Sequence, residues 1–99
     1  MKIMRAKFKF LSMDRAGVHG WGEVQFPSDE EMILYLTRRG AEADYLCSGT
    51  RGIDGVYRGV WVSEVVPESG RVEWAELHDG RWVGQWCEDG TEFLFGIEF

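Results

Sequence analysis

The sequence predicts a single α+β domain over residues 1–99, in which one helix packs on a curved antiparallel sheet of about six to seven strands. Three observations lead to this prediction. Glycine-containing turns divide residues 56–99 into β-rich runs, a capping box opens one helical segment near residue 28, and the N-terminal residues alternate between apolar and charged side chains. A partly closed barrel is the alternative arrangement, because a sheet of this many strands curls readily.

Residues 56–99 predict a meander of strands separated by turns at 67–70, at Asp79-Gly80 and at Asp89-Gly90. Asp-Gly between β-rich runs favours type I′ hairpin turns, since both central residues of such a turn need positive φ. The last run places four large apolar side chains in one parity: Phe93, Phe95, Ile97 and Phe99. That face has to be covered, and we expect the helix to cover it.

The N-terminal part predicts a strand over residues 2–13, a turn over residues 14–17 and a returning strand over residues 18–26. The first strand carries Ala6, Phe8 and Phe10 on one face and Arg5, Lys7 and Lys9 on the other. One face therefore belongs to the core and the other to solvent or a partner. Two glycines flank Trp21 on the returning strand, which indicates a bulge or the close approach of another backbone or a large ring.

A helix is predicted over about residues 28–39. Ser28 and Glu31 have the spacing of a capping box, and two further acids lie in the first turn, where the helix dipole favours them. The buried stripe of this helix would hold Met32, Ile33, Tyr35 and Leu36. Gly40 is the expected stop.

Motifs that carry chemistry are not evident. The glycine-dense segment at 49–55 lacks the spacing of a phosphate-binding loop, and we expect either a hairpin loop or a mobile loop there. His19 and His78 have no Cys or second His at metal-ligand spacing, and no serine lies in a nucleophile motif. Cys47 and Cys87 are expected to be reduced core residues. The chain is therefore expected to be non-catalytic, with no metal and no cofactor.

The charge distribution is uneven along the chain. The net charge is −6, but residues 1–15 carry five cations and one acid, whereas residues 60–99 carry nine acids and two cations. An acidic surface repels phosphate backbones and attracts basic partners. No apolar run is long enough to span a bilayer, and residues 1–5 do not lead into a signal peptide. We expect a cytoplasmic protein that does not bind membranes.

Tryptophan is the compositional outlier, with five residues in this short chain. Trp82 and Trp86 share a parity on one predicted strand, and Trp74 lies on the strand before it, so the three are expected to cluster across the sheet. An exposed cluster would bind a partner or a ligand. The alternative is that most of the indoles fill the core and satisfy their N–H groups at its rim.

The preferred functional hypothesis is a non-catalytic acidic module that binds a basic protein partner. Its concrete form is a small phage- or mobile-element-type inhibitor, anti-CRISPR-like or with another anti-defence role, that occupies the nucleic-acid site of its partner by mimicking phosphates with carboxylates. The predicted binding residues are Glu64, Glu73, Glu76, Asp79, Glu88, Asp89, Glu92, Trp74, Trp82 and Trp86.

Two alternatives remain open at the level of sequence. One is a small-molecule site against Trp74, Trp82 and Trp86. The other is weak nucleic-acid binding through the basic N-terminal strand beside Trp21, with bases stacked on the indole. The unprotected strand that ends at Phe99 also leaves open a homodimer formed by edge pairing.

Overall fold

The computed structural model describes residues 2–12, 18–38, 43–63 and 68–99. These ranges form eight strands: β1 (Lys2–Phe10), β2 (His19–Ser28), β3 (Glu31–Arg38), β4 (Ala43–Arg51), β5 (Tyr57–Ser63), β6 (Ser69–His78), β7 (Arg81–Glu88) and β8 (Thr91–Glu98). Each strand pairs antiparallel with its neighbours in sequence, and β1 also pairs with β8. The sheet is therefore a closed up-and-down barrel, an all-β fold.

The predicted α+β class and the helix over residues 28–39 are wrong, because this part of the described chain forms β3 and no described residue is helical. Ser28 Oγ instead donates to Glu31 Oε1 at 3.1 Å, a side-chain contact across the tight turn between β2 and β3 that differs from the side-chain-to-backbone bonds of a capping box. The run at 32–36 is apolar in both parities, so helical and strand periodicities both fit its sequence. Strand pairing on both sides decides between them.

The count of six to seven strands and the partial closure are also wrong, since eight strands close completely in their pairing order. The extra strand changes how the apolar faces are covered. Phe93 and Phe95 of β8 point into the barrel and meet Phe10 and Trp86, with ring centroids 5.8–6.1 Å apart in edge-on geometry. The face that seemed to need a helix is covered by the other strands of the same sheet.

The Asp-Gly turns are confirmed as hairpin connections. Asp89 and Gly90 both have positive φ, 51° and 74°, as a type I′ turn requires. In the preceding turn only Gly80 has positive φ, and the ladder shifts register between Glu76 and His78. Residues 52–55 of the glycine-dense segment lie in the hairpin loop between β4 and β5, whereas residues 49–51 belong to β4. The predicted turn at 14–17 and the helix stop at Gly40 lie outside the described residues.

The barrel interior is packed with rings, and inward-facing glycines make room for several of them. A Cβ on Gly49 would lie 2.6 Å from Trp74 Cη2, and one on Gly84 would lie 2.7 Å from the Phe95 ring. The prediction that another backbone or a large ring approaches the glycines beside Trp21 is confirmed. A Cβ on Gly20 would meet the Thr37 carbonyl and lie 2.6 Å from Phe8 Cε1, and one on Gly22 would meet the Tyr35 carbonyl. Glycine at these positions is a packing requirement.

Candidate binding surface

The outer face of β1, β2 and β3 carries a groove of about 790 Å³ centred on Trp21. Strand register builds it. Lys7 of β1 lies opposite Trp21 of β2, which lies opposite Thr37 of β3. In the next outward row, Arg5 lies opposite Glu23, which lies opposite Tyr35. Glu98 and Phe99 close one side, and this set of residues is named the Trp21 groove below.

Trp21 is held outside by the parity of β2. Its flanking glycines point inward, where backbone and the Phe8 ring leave no space for a larger side chain. A one-residue register shift that buried the indole would therefore move every β2 side chain to the wrong face. Trp21 is 54% exposed and Tyr35 is 42% exposed. An exposed indole can gain burial energy of roughly 2–3 kcal/mol when a partner covers it fully, which makes Trp21 a candidate contact residue.

The charges in the Trp21 groove balance. Arg5 and Lys7 face two carboxylates, Glu23 and Glu98, across the strands. Within the described ranges none of the four forms an ion pair, so their charged groups are free to contact a ligand. The groove therefore offers two aromatic rings and charged side chains of both signs. Its four charged side chains have no net charge.

The three tryptophans predicted to bind a partner lie in the barrel interior instead. Trp74 stacks on Tyr57 with an interplanar angle of 8°, Trp86 stacks on Trp61 at 23°, and Trp82 also meets Tyr57. All three are buried. Their rings pack against other core side chains, and none of the three is more than 9% exposed.

The alternative reading of the tryptophans, core filling with N–H groups bonded at the rim, fits the structure better. Trp61 Nε1 donates to the carbonyl of Cys87 at 2.8 Å, and Trp86 Nε1 donates to Glu88 Oε1 at 3.3 Å. Trp74 Nε1 lies 2.9 Å from Met32 Sδ. Trp82 Nε1 has no hydrogen-bond partner among the described residues.

The acidic residues predicted to bind a partner are divided between two ends of the barrel. Glu76 and Asp79 lie at the β6–β7 turn, whereas Glu88, Asp89 and Glu92 lie at the β7–β8 turn. Strands of this length separate the two ends by about 25 Å. Two further predicted residues complete the set: Glu73, whose Oε2 lies 3.3 Å from Arg58 Nε, and Glu64, which lies outside the described residues.

The two cysteines lie in different environments. Cys47 faces the core, and burial raises the pKa of its thiol far above the ordinary value, so this thiol stays protonated. Cys87 faces outward and is half-buried, contrary to its predicted place in the core. Both are free thiols. The described ranges contain no cluster of three His, Cys, Asp or Glu residues with the geometry of a metal site.

Tyr35 is the surface residue that sequence reasoning misplaced, because it was put in the buried stripe of a helix. Tyr35 shares the outward parity of Ile33 and Thr37, but the run at 32–36 is apolar in both parities, so the sequence pattern alone provides no clear signal for its exposure. Among the described residues, no helix could span a membrane.

Comparison with protein-family models, curated proteins and solved structures finds no match. The Trp21 groove is therefore the feature of the molecule that bears on its function.

Proposed function

We propose that this chain is a non-catalytic protein-binding barrel whose partner docks on the Trp21 groove. The observation that carries the proposal is the exposed indole of Trp21, held in the middle of a barrel strand beside Tyr35 and Arg5. Trp, Tyr and Arg are the residues that most often dominate the energy of protein interfaces. The barrel supplies a rigid support, so little conformational entropy is lost when the partner binds.

Charge balance favours a protein over a nucleic acid. A single-stranded nucleic acid would stack bases on Trp21 and place phosphates on Lys7 and Arg5. It would also bring phosphates close to Glu23 and Glu98, on a chain whose net charge is −6. Both carboxylates oppose phosphate binding, whereas a protein segment can match groups of both signs.

The excess of acidic residues in the sequence supports one general feature of the proposed partner, namely that it is basic. Carboxylates at both ends of the barrel attract a partner whose surface around the groove is basic. Their separation does not support a continuous row of phosphate-mimicking groups. The narrower role, inhibition of a host nucleic-acid-binding protein, stays a prediction from size and charge.

Site-specific photo-crosslinking tests the proposal. Thr37 in the groove and, as a control, Gln85 on the far side of the barrel are each replaced by p-benzoylphenylalanine in cells that express the chain. We expect a discrete protein adduct from position 37 alone. Adding Trp21→Ala should remove it, because losing a central indole weakens binding by about 30-fold, or ~2 kcal/mol.

Two results would contradict the proposal. Equal adducts from positions 37 and 85 would show that the groove has no special role. Adducts that disappear on nuclease treatment would assign the Trp21 groove to a nucleic acid. Binding of a fluorescent single-stranded oligonucleotide at low salt, lost in Trp21→Ala, would support that second assignment.

A further inference from the structure

A second groove, of about 500 Å³, lies on the outer face of β7, β8 and β1, beside the Trp21 groove. Gly96 of β8 lies at its centre, with Lys9 of β1 opposite on one side and Val83 of β7 on the other. Because β8 is paired with both neighbours here, the floor is continuous sheet and this part of β8 is not a free edge for a second copy. The groove is named the Gly96 groove below.

Apolar side chains form much of the lining. Leu11 is 46% exposed and Leu77 is 63% exposed, and Val83 is half-buried. Gly96 has no side chain, and Leu11 leans over it, with Cδ1 3.6 Å from the place that a Cβ would take. The lining crosses four neighbouring strands, from β1 to β6, which is about 14 Å. A straight alkyl chain fits this surface, and each methylene that leaves water adds to its affinity.

The charges around the groove are mainly positive, although the chain is acidic. Its three cations are Lys7, Lys9 and Arg81. Among the described residues, Glu98 is the one carboxylate in the lining, and it lies opposite two of these cations. Lys9 lies opposite His19 and Gly96, so no carboxylate faces it on either neighbouring strand. None of the three cations forms an ion pair within the described ranges.

We propose that the Gly96 groove binds the anion of an alkyl carboxylic acid, the class of ligand to which fatty acids belong. Lys7 and Lys9 project from the same face of β1, about 7 Å apart along the strand, so both ammonium groups can reach one carboxylate between them. From there the alkyl chain crosses Gly96 and Val83 toward Leu77. The site goes beyond the proposed function, because binding this ligand does not require the protein partner.

Charge and shape together select this class of ligand. A basic protein segment, such as the partner proposed for the Trp21 groove, would meet three cations here. Inorganic phosphate would be attracted by the cations but would leave the apolar lining uncovered. An anionic membrane would have to approach a convex barrel face on a chain whose net charge is −6. An anion that carries an alkyl chain uses both the cations and the apolar lining.

A titration of the whole chain with decanoate, followed by NMR of the backbone amides, tests the proposal. The ligand is kept below its critical micelle concentration. We expect saturable shifts at Lys9, Gly96 and Val83, with one ligand bound per chain. Decyltrimethylammonium has the same alkyl chain with a positive head, and butyrate has the charge with a short chain. Each should bind at least about tenfold more weakly than decanoate.

Lys9→Gln tests the contribution of the cation. We expect decanoate affinity to fall at least about fivefold, because a charge-assisted hydrogen bond is lost. The matched control is Arg51→Gln, which removes one exposed cation from β4, on the opposite side of the barrel from β8. Its affinity should change by less than about twofold.

Gly96→Val tests the contribution of the groove's shape, because the new side chain fills its centre. We expect decanoate affinity to fall at least about tenfold. The melting temperature should stay close to that of the unaltered protein, since a Cβ at this position meets only ordinary contacts and β-branched residues suit strands.

Four results would overturn the proposal. Equal affinities for decanoate and decyltrimethylammonium would leave the cations without a role. Shifts centred on Trp21 and Tyr35 would move the ligand to the Trp21 groove. Shifts that begin only at the critical micelle concentration, or no saturable shift at millimolar decanoate, would show that this face does not bind single molecules. Unchanged affinity in Gly96→Val would place the ligand elsewhere. The crosslink from position 37 tests the protein partner separately, so the two proposals fail independently.

Discussion

Trp21 and Trp74 are the same residue type on strands of the same barrel, and they occupy opposite environments. Trp74 is 1% exposed, stacked on Tyr57 and seated over Gly49, whereas Trp21 is 54% exposed on the outer face. Strand parity alone separates them, because alternate residues of each strand point to opposite sides of the sheet. The comparison shows that tryptophan content by itself says little about function here. Only the side of the barrel distinguishes the buried indole of Trp74 from the exposed indole of Trp21.

The largest expected effect comes from truncating the two indoles in parallel. Trp74→Ala removes a buried ring and leaves a cavity, so the free energy of unfolding should fall by about 3–5 kcal/mol. Trp21→Ala removes an exposed ring and should change it by less than about 1 kcal/mol. Urea denaturation monitored by circular dichroism measures both values. Similar losses in the two variants would mean that Trp21 also contributes to the core, and its assignment to a binding surface would then fail.

The contrast between Trp21 and Trp74 depends on strand parity, and only some of the strands could be predicted from the sequence. The alternation in β1 and β8 and the Asp-Gly turns predicted those strands, because all the aromatic residues of each strand share one parity and the turn chemistry is specific. The run at 32–36 is apolar in both parities, and only pairing with β2 and β4 makes it a strand. Local pattern could not supply that information.

The proposed binding surface also depends on strand pairing, which the sequence pattern did not reveal. Trp21 beside the basic strand was recognised in the sequence, as part of the nucleic-acid alternative. Tyr35 joins it only when β3 exists and pairs with β2. The Trp74, Trp82 and Trp86 cluster was predicted as a set, but the side of the sheet that it faces depends on closure of the barrel. Closure is a property of all eight strands together and leaves no mark in any one of them.

The next largest effect concerns the contact between Gly49 and the Trp74 ring in the barrel interior. Gly49→Ala would place a Cβ 2.6 Å from Trp74 Cη2, so the ring must move, and we expect a loss of about 1–3 kcal/mol in unfolding free energy. The matched control is Gly96→Ala, where the nearest atom to the new Cβ is Leu11 Cδ1 at 3.6 Å. Combining Gly49→Ala with Trp74→Phe should cost less than the sum of the single changes, because the smaller ring relieves the contact. Additive costs would show that Trp74 does not require the glycine.

The smallest effect concerns a polar contact on the outer surface, where we expect little stabilisation. Arg58 Nη2 lies 2.7 Å from Asp54 Oδ2, and the Val56 N–H donates to Asp54 Oδ1 at 3.1 Å. Hydrogen bonding from Arg58, with the Val56 N–H second, lowers the pKa of Asp54 from 3.8 to about 2. Because the folded-state pKa is depressed, the contact stabilises the barrel above about pH 4, and this stabilisation is lost as the pH falls through about 2.

Asp54→Asn isolates the charge in that contact, since the amide oxygen can still accept the Val56 N–H. The melting temperature of the unaltered protein should exceed that of Asp54→Asn by a small margin at pH 6, and the difference should shrink between pH 4 and pH 2. The margin is small because both groups are exposed to solvent, which screens their attraction. A difference that matched the loss in Trp74→Ala, or that grew as the pH fell, would contradict the view that the barrel is stabilised from its interior. A small difference that vanishes in acid would agree with a barrel that is stabilised mainly by its interior.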